Sequence, residues 1–408
     1  MTTALASPTR TRASARVRPA PAVDTPWGRA DTLRQRRLRP GPGTPRDAVT
    51  TNQRDRIAAA TVAAVADLGY EHTRVADIVA LSGVSRSAFY HHFDDKLDCF
   101  VDTLLKLRDA MPGDLTGAVE FATTYPAAAT LALCETHAAG PRARRVIAGE
   151  LEVWSRQLEQ TWPEVPRDVA YAIAGGGVGV CERRLRRGDP LGDVLGELTE
   201  WAESCRSDVK LPRPRRKPRV PAGVTRGDDA RYRILAAVTD LVAEVGYQDA
   251  TIVEVADRAS ASLSTFYSLF GGKEAAMLSA VHREVAWSLG GGVAADSVYG
   301  AIDTMLNYFA SEPAAARLVF LEAPAATPEI ATRGDVVHRL LRPLVGGARI
   351  DASAAAIHAL IAREVRAGRA DRLRSLTPTA TYLAIAPLVG AAQAAAVARQ
   401  DAPQAVPA

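Results

Sequence analysis

The chain has 408 residues, 47% hydrophobic and 24% charged, with a formal net charge of +4. That length exceeds one ordinary core, so two or more domains are expected, and the balance is that of a soluble globular protein. Only 6% of residues are aromatic and alanine is abundant, which favours helices over sheets. Charge is unevenly spread: the first fifty residues hold ten arginines against three aspartates and no glutamate. This stretch has no sustained periodicity and is expected to be a disordered basic arm, residues 1–50. It lacks the apolar core of a signal peptide, so a cytoplasmic protein is expected.

Order is expected to begin at TNQRDRIAAATVAAVADLGY. Ile57, Thr61, Ala64, Val65 and Leu68 recur at helical spacing, and Gly69 supplies the left-handed residue that ends a helix. A short helix follows, with Thr73 as its expected cap and Val75, Ile78 and Val79 on its apolar face. The turn SGVS, Ser82 to Ser85, leads into SRSAFYHHFDDK, where Phe89 and Phe93 read as core residues that pin the helix. Two short helices joined by a glycine-containing turn have the helix-turn-helix shape.

The whole element returns 177 residues later. RYRILAAVTDLVAEVGY repeats the phase with Ile234, Val238, Leu241, Val242 and Val245, then Gly246 and Tyr247. TIVE, Thr251 to Glu254, reads as a capping box. SLSTFYSLFGGK keeps six of the twelve residues of SRSAFYHHFDDK. A gapless match of this length is a duplication. A weaker echo follows: PAAATLALCET begins at Pro126 and PAAARLVFLEA at Pro313, and ERRLRRG ending at Gly188 matches AREVRAG ending at Gly368. The expected fold is therefore all-α, in two tandem units. Helix-turn-helix domains are expected at 51–100 and 229–278, and helical bundles at 101–209 and 279–400. A basic proline-rich linker is expected at 210–228 and a disordered tail at 401–408. The linker contains KLPRPRRKPR, a second basic cluster that either lies along a polyanion or is simply solvated.

GGGVG, Gly175 to Gly179, lacks the strand-turn-helix frame of a nucleotide fingerprint and reads as a tight helix crossing. LGGG at Leu289 reads as a loop, and the uncharged run Tyr382 to Ala398 as a packed helix too weakly apolar for a membrane span. Cys99, Cys134, Cys181 and Cys205 lie far apart without metal spacing and are expected as buried reduced thiols. No catalytic constellation is evident, so no enzyme activity, cofactor or metal is expected.

RIAAATVAAVADLGYEHTRVADIVALSGVSRSAFYHHFDDK closely resembles the N-terminal DNA-binding domain of TetR-family transcriptional regulators. The shared features are a helix ending in glycine plus an aromatic, a central isoleucine, the Gly-Val-Ser turn, Tyr-x-x-Phe, and a lysine soon after. The resemblance implies double-stranded DNA as partner, with contacts from Arg74, Ser85, Arg86, Ser87, Ala88, Tyr90, His91 and Lys96. Arg86 would hold a guanine or a phosphate, and Lys96 a phosphate. His92 is either solvated or a phosphate contact. In the second unit the implied contacts, weaker, are Ser262, Ser264, Thr265, Tyr267 and Lys273. Bundles of this family dimerise and often hold a small ligand, which implies a repressor released by a small-molecule effector. Trp154, Trp162, Trp201, Trp287 and Tyr308 either line such a pocket or are core.

The second copy departs from the pattern. Gly83 becomes Ser260, Val84 becomes Ala261, Arg86 becomes Leu263, His91 and His92 become Ser268 and Leu269, and Asp94–Asp95 becomes Gly271–Gly272. The first copy has Leu97 where the family usually has glutamate, which the second keeps as Glu274. The family also usually has one unit per chain. Two assemblies stay open: an intramolecular pseudo-dimer, or a homodimer with four helix-turn-helix units. A second unit that no longer reads DNA and serves as an interaction scaffold is the alternative function.

Overall fold

The alanine- and valine-rich faces do form helices. The structure, a computed structural model, describes residues 21–39, 41, 43–219, 227–290, 297–343 and 349–400, and among these there is no strand. The first unit runs α1 (Arg46–His72), α2 (Val75–Ser82), α3 (Arg86–His92), α4 (Lys96–Ala110), α5 (Leu115–Thr124), α6 (Pro126–Thr130), α7 (Thr136–Ala138), α8 (Pro141–Thr161), α9 (Arg167–Arg187) and α10 (Val194–Ser204). The second runs α11 (Ala230–Val245), α12 (Ile252–Arg258), α13 (Leu263–Leu269), α14 (Lys273–Ser288), α15 (Val298–Ser311) and α16 (Pro313–Arg317). It continues with α17 (Pro328–Gly334), α18 (Val336–Leu341), α19 (Ile350–Arg366), α20 (Thr377–Val389) and α21 (Ala391–Gln400). Each unit carries a π-helical turn at the same place, Leu131–Glu135 and Leu318–Glu322.

Gly246, at φ 91°, ends α11 as expected, whereas Gly69, at φ 75°, is a kink inside α1, which runs on to His72. The capping box at Thr251 and Glu254 is present. The matching cap in the first unit differs from expectation. Thr73 does not cap α2: its hydroxyl donates back to the Gly69 carbonyl at 2.7 Å. Arg74 holds the cap position, and its N–H donates to Asp77 Oδ2 at 2.8 Å.

The basic arm also differs. Residues 1–20 lie outside the described residues, but 21–39 fold against the first unit. Ala30 and Leu33 are buried with Ile57, Ile78 and Phe89. Arg34 Nε donates to the Ala80 carbonyl at 2.9 Å, and α1 already begins at Arg46. The linker likewise is held down where it is described. Arg213 pairs with Asp168, Arg216 lies 3.4 Å from Asp303, and the Arg219 N–H donates to Asn307 Oδ1 at 2.8 Å. Those guanidinium groups face carboxylates of the protein itself.

The units meet chiefly through α9 and α19. The glycines of GGGVG make this approach possible. A Cβ on Gly175 would lie 2.3 Å from the Ala359 Cβ, and one on Gly179 would lie 2.6 Å from the Ala355 Cβ. Ion pairs flank the crossing: Arg183 with Asp351 at 2.9 Å and Arg363 with Asp168 at 2.6 Å.

At one buried position the two units pack differently. In the second unit Glu284, 2% exposed, accepts from Thr239 Oγ1 at 3.0 Å and from the Tyr308 hydroxyl, and pairs with Arg283. Burial and the adjacent Glu284 carboxylate push the Tyr308 phenol far up. The matching residues of the first unit are Val62, Leu107 and Phe121, which pack together in an apolar cluster.

All four cysteines are buried and free. Burial pushes the Cys99, Cys134 and Cys205 thiols up to about 12 and that of Cys181 to about 11, so they remain unreactive thiols near neutral pH. The run Tyr382 to Ala398 is not one helix: Gly390, at φ 80°, separates α20 from α21. Among the described residues no helix is long and apolar enough to cross a membrane. Of LGGG, Gly291 and Gly292 lie outside the described residues, as does the tail 401–408.

Candidate nucleic-acid interface

The turn before the second short helix needs a left-handed residue in both units. Gly83 takes it at φ 65°; in the second unit Ser260 takes it at φ 49°, the one non-glycine with positive φ among the described residues. A side chain in that region costs roughly 1 kcal/mol. The fold therefore keeps the turn geometry even where glycine is lost.

Ser85 caps α3 by accepting the Ala88 N–H at 3.1 Å. Phe89 and Phe93 are buried at 0% and 4% exposure, which fixes the rotation of the helix. Arg86, Ser87, Tyr90 and His91 are left exposed on its outer side, and Ala88 is half-buried. The Arg86 guanidinium lies 5.7 Å from the Tyr90 ring centroid, so the ring steadies the cation at the surface. His92 is neither solvated nor free: its Nε2 lies 2.9 Å from Gln53 Oε1, and burial lowers its basicity. Arg74 is exposed at the start of α2, apart from the α3 group in sequence.

The second unit repeats the scaffold without the charge. Ser262 accepts the Thr265 N–H at 3.0 Å, and Phe266 and Phe270 are buried at 1% and 4%. Ser264 is exposed, Thr265 is half-buried, and Tyr267 is 56% exposed. Leu263, at the position of Arg86, is 44% exposed. An apolar side chain stands where the first unit offers a cation.

Lys96 and Lys273 have partners that sequence reasoning missed. Lys96 Nζ donates to the Tyr70 carbonyl at 2.8 Å and lies 4.1 Å from the Tyr70 ring centroid. Lys273 Nζ donates to the Gln248 carbonyl at 3.0 Å and lies 4.5 Å from the Tyr247 ring centroid. Burial lowers the basicity of both. Each lysine thus ties the start of α4 or α14 to the chain leaving the first helix of its unit.

The π-helical turns carry a second tie. Glu135 Oε2 accepts the Tyr70 N–H at 2.7 Å, and Glu322 Oε2 accepts the Tyr247 N–H at 3.2 Å. The signal was in the sequence: these are the glutamates shared by PAAATLALCE and PAAARLVFLE. Near the same corners the two domains touch each other, with Gln248 Nε2 donating to Glu71 Oε1 at 2.5 Å.

A cavity of about 1140 Å³ opens between the units, lined by α8, α9, α18 and α19 and the π-helical turn of the second unit. None of Trp154, Trp162, Trp201, Trp287 and Tyr308 lines it. Trp154, Trp201 and Tyr308 are core, at 7%, 1% and 1% exposure, and Trp162 and Trp287 pack against that core.

The family model described as bacterial regulatory proteins, tetR family, matches residues 57–103 and again residues 234–280. A search of curated proteins finds no match.

Proposed function

We propose that this chain, which belongs to the tetR family of bacterial regulatory proteins as two tandem units, is a repressor that works as an intramolecular pseudo-dimer on an operator with two unequal half-sites. The observation that carries the reading is reciprocal packing. Aligned on Gly188 and Gly368, Gly175 corresponds to Ala355 and Gly179 to Ala359. Gly175 approaches Ala359 while Gly179 approaches Ala355. Contacts of the form i to j and j to i are the mark of a two-fold interface, here within one chain. Glu71 and Gln248, which correspond in the two repeats, meet each other and support the same relation.

The exposed group on α3 is the reading face: Arg86 on a guanine edge or a phosphate, Ser85 and Ser87 beside it, and Tyr90 and His91 toward the backbone. Arg74 and Lys96 would add phosphate contacts, Lys96 through the donor capacity left after its carbonyl partner. In the second unit Ser262, Ser264, Thr265, Tyr267 and Lys273 offer fewer charged contacts, so that half-site is held more weakly. A small effector bound in the bundle region would shift the pair of domains out of register with the DNA.

Arg86→Ala is expected to weaken operator binding by about tenfold to a hundredfold, the worth of one bidentate base contact. Leu263→Ala, on the matching exposed position, should leave affinity within about twofold, because leucine offers neither a hydrogen bond nor a charge to lose. Electrophoretic shift with the DNA flanking the gene measures both. Equal losses would overturn the ranking of the two helices, and no shift at low salt would favour the interaction-scaffold reading.

A further inference from the structure

The cavity between the units has walls of two kinds. Leu151, Val178, Phe320, Ala355 and Ala359 give it apolar surface from both units. Nine arginines also line it, against three carboxylates. Those carboxylates are already engaged: Glu182 with Arg186 at 2.9 Å and His137 at 3.2 Å, Glu322 with Arg144 at 3.0 Å, and Asp335 with Arg183 at 3.1 Å. Arg145, Arg187 and Arg342 line the cavity and form no ion pair among the described residues. His137 Nδ1 is buried there with no hydrogen-bond partner. Those three arginines are solvent-exposed, so the cavity combines a surplus of available guanidinium groups with an unpartnered imidazole nitrogen and apolar walls, a lining suited to an anion.

We propose that this cavity binds an organic anion, a carboxylate or phosphate monoester carried on an apolar body, seated against the unpaired guanidinium groups. Its volume suits one medium-sized ligand. The regulatory consequence rests on the effector reading above; the binding itself does not. That consequence has a route. Arg144, in the cavity wall, pairs with Glu322 Oε1, and Glu322 Oε2 holds the Tyr247 N–H at the end of α11. An anion that draws Arg144 toward itself loosens the tie between the second helix-turn-helix domain and its bundle.

The test titrates the full chain by calorimetry with decanoate and decyl phosphate, using decanol and decylamine as neutral and cationic controls. The anions should bind at least about tenfold tighter than either control. Arg187→Ala combined with Arg342→Ala should weaken the anions by about tenfold or more without lowering the melting temperature, because neither side chain holds an internal ion pair. Decanol or decylamine binding as tightly as decanoate would overturn the proposal. So would no anion binding at about 1 mM, or a double variant that binds decanoate like the parent. Operator affinity measured in parallel separates the two claims. A chain that binds decanoate yet no DNA keeps the site and sinks the repressor reading; one that binds DNA but neither anion does the reverse.

Discussion

Replacing Glu284 with leucine is expected to destabilise the second unit by about 3–5 kcal/mol, although leucine is what the first unit carries at the matching position. Glu284 is fully enclosed and satisfies three groups at once: the Thr239 hydroxyl, the Tyr308 hydroxyl and the Arg283 guanidinium. Leucine leaves the Tyr308 hydroxyl buried without its acceptor, at a cost of about 1–3 kcal/mol for that group alone. Arg283 retains bonds to the Tyr232 and Leu235 carbonyls at 3.4 and 3.2 Å, so part of its charge stays solvated by the backbone. The first unit shows how the same space is filled without charge, with Val62, Leu107 and Phe121. Adding Thr239→Val and Tyr308→Phe to Glu284→Leu should therefore recover most of the loss. Denaturant titration of the single and triple variants measures both. A triple variant no more stable than the single one would mean that backbone spacing, not polar satisfaction, sets the difference between the units.

Gly175→Leu is expected to force α9 and α19 apart, with a loss of about 3 kcal/mol or more from overpacking. The added Cβ alone would sit 2.3 Å from the Ala359 Cβ. No rotamer change relieves that contact, because both atoms are fixed to helix backbones. The Arg183–Asp351 and Arg363–Asp168 pairs that flank the crossing should open with it. Gly196→Ala in α10 is the control: nothing lies within 4 Å of its Cβ position. That variant should gain about 0.5–1 kcal/mol from reduced unfolded-state entropy. Melting temperatures and protease susceptibility of α9 report the two effects. Equal stability of the two variants would contradict a glycine-dependent crossing.

The parts of this fold that were readable from sequence are those where one residue type has one physical use. Gly246 announced a helix end and Gly69 a break in α1 because each takes a positive φ, and GGGVG announced a close crossing because only glycine lacks the Cβ that would block it. Ser260 was legible as the replacement of the turn glycine, and the structure keeps it at positive φ. The arm was not legible, because Ala30 and Leu33 are buried singly within an Arg- and Pro-rich stretch that has no period. Burial of an irregular segment leaves no repeating signal. The cap of α2 slipped by one residue because threonine is a common cap, whereas here Thr73 bonds backwards. Of the two readings of the aromatics the core one holds, because large rings fill cores more often than cavities, and the cavity is instead marked by arginines gathered from both units. The resemblance implied a phosphate contact for Lys96 and a weaker DNA contact for Lys273, yet their ammonium groups first serve the backbone of their own domains.

On the reading proposed above, one chain presents two unequal recognition helices, α3 and α13, to one DNA site. The most direct measurement is the mass of the chain–operator complex by sedimentation, combined with a footprint on the same DNA. A single chain is expected on the operator, protecting two unlike half-sites about one helical turn or more apart. Arg86→Ala should erase the stronger half of that footprint first. Two chains on each operator, or protection of one half-site alone by a single chain, would contradict it.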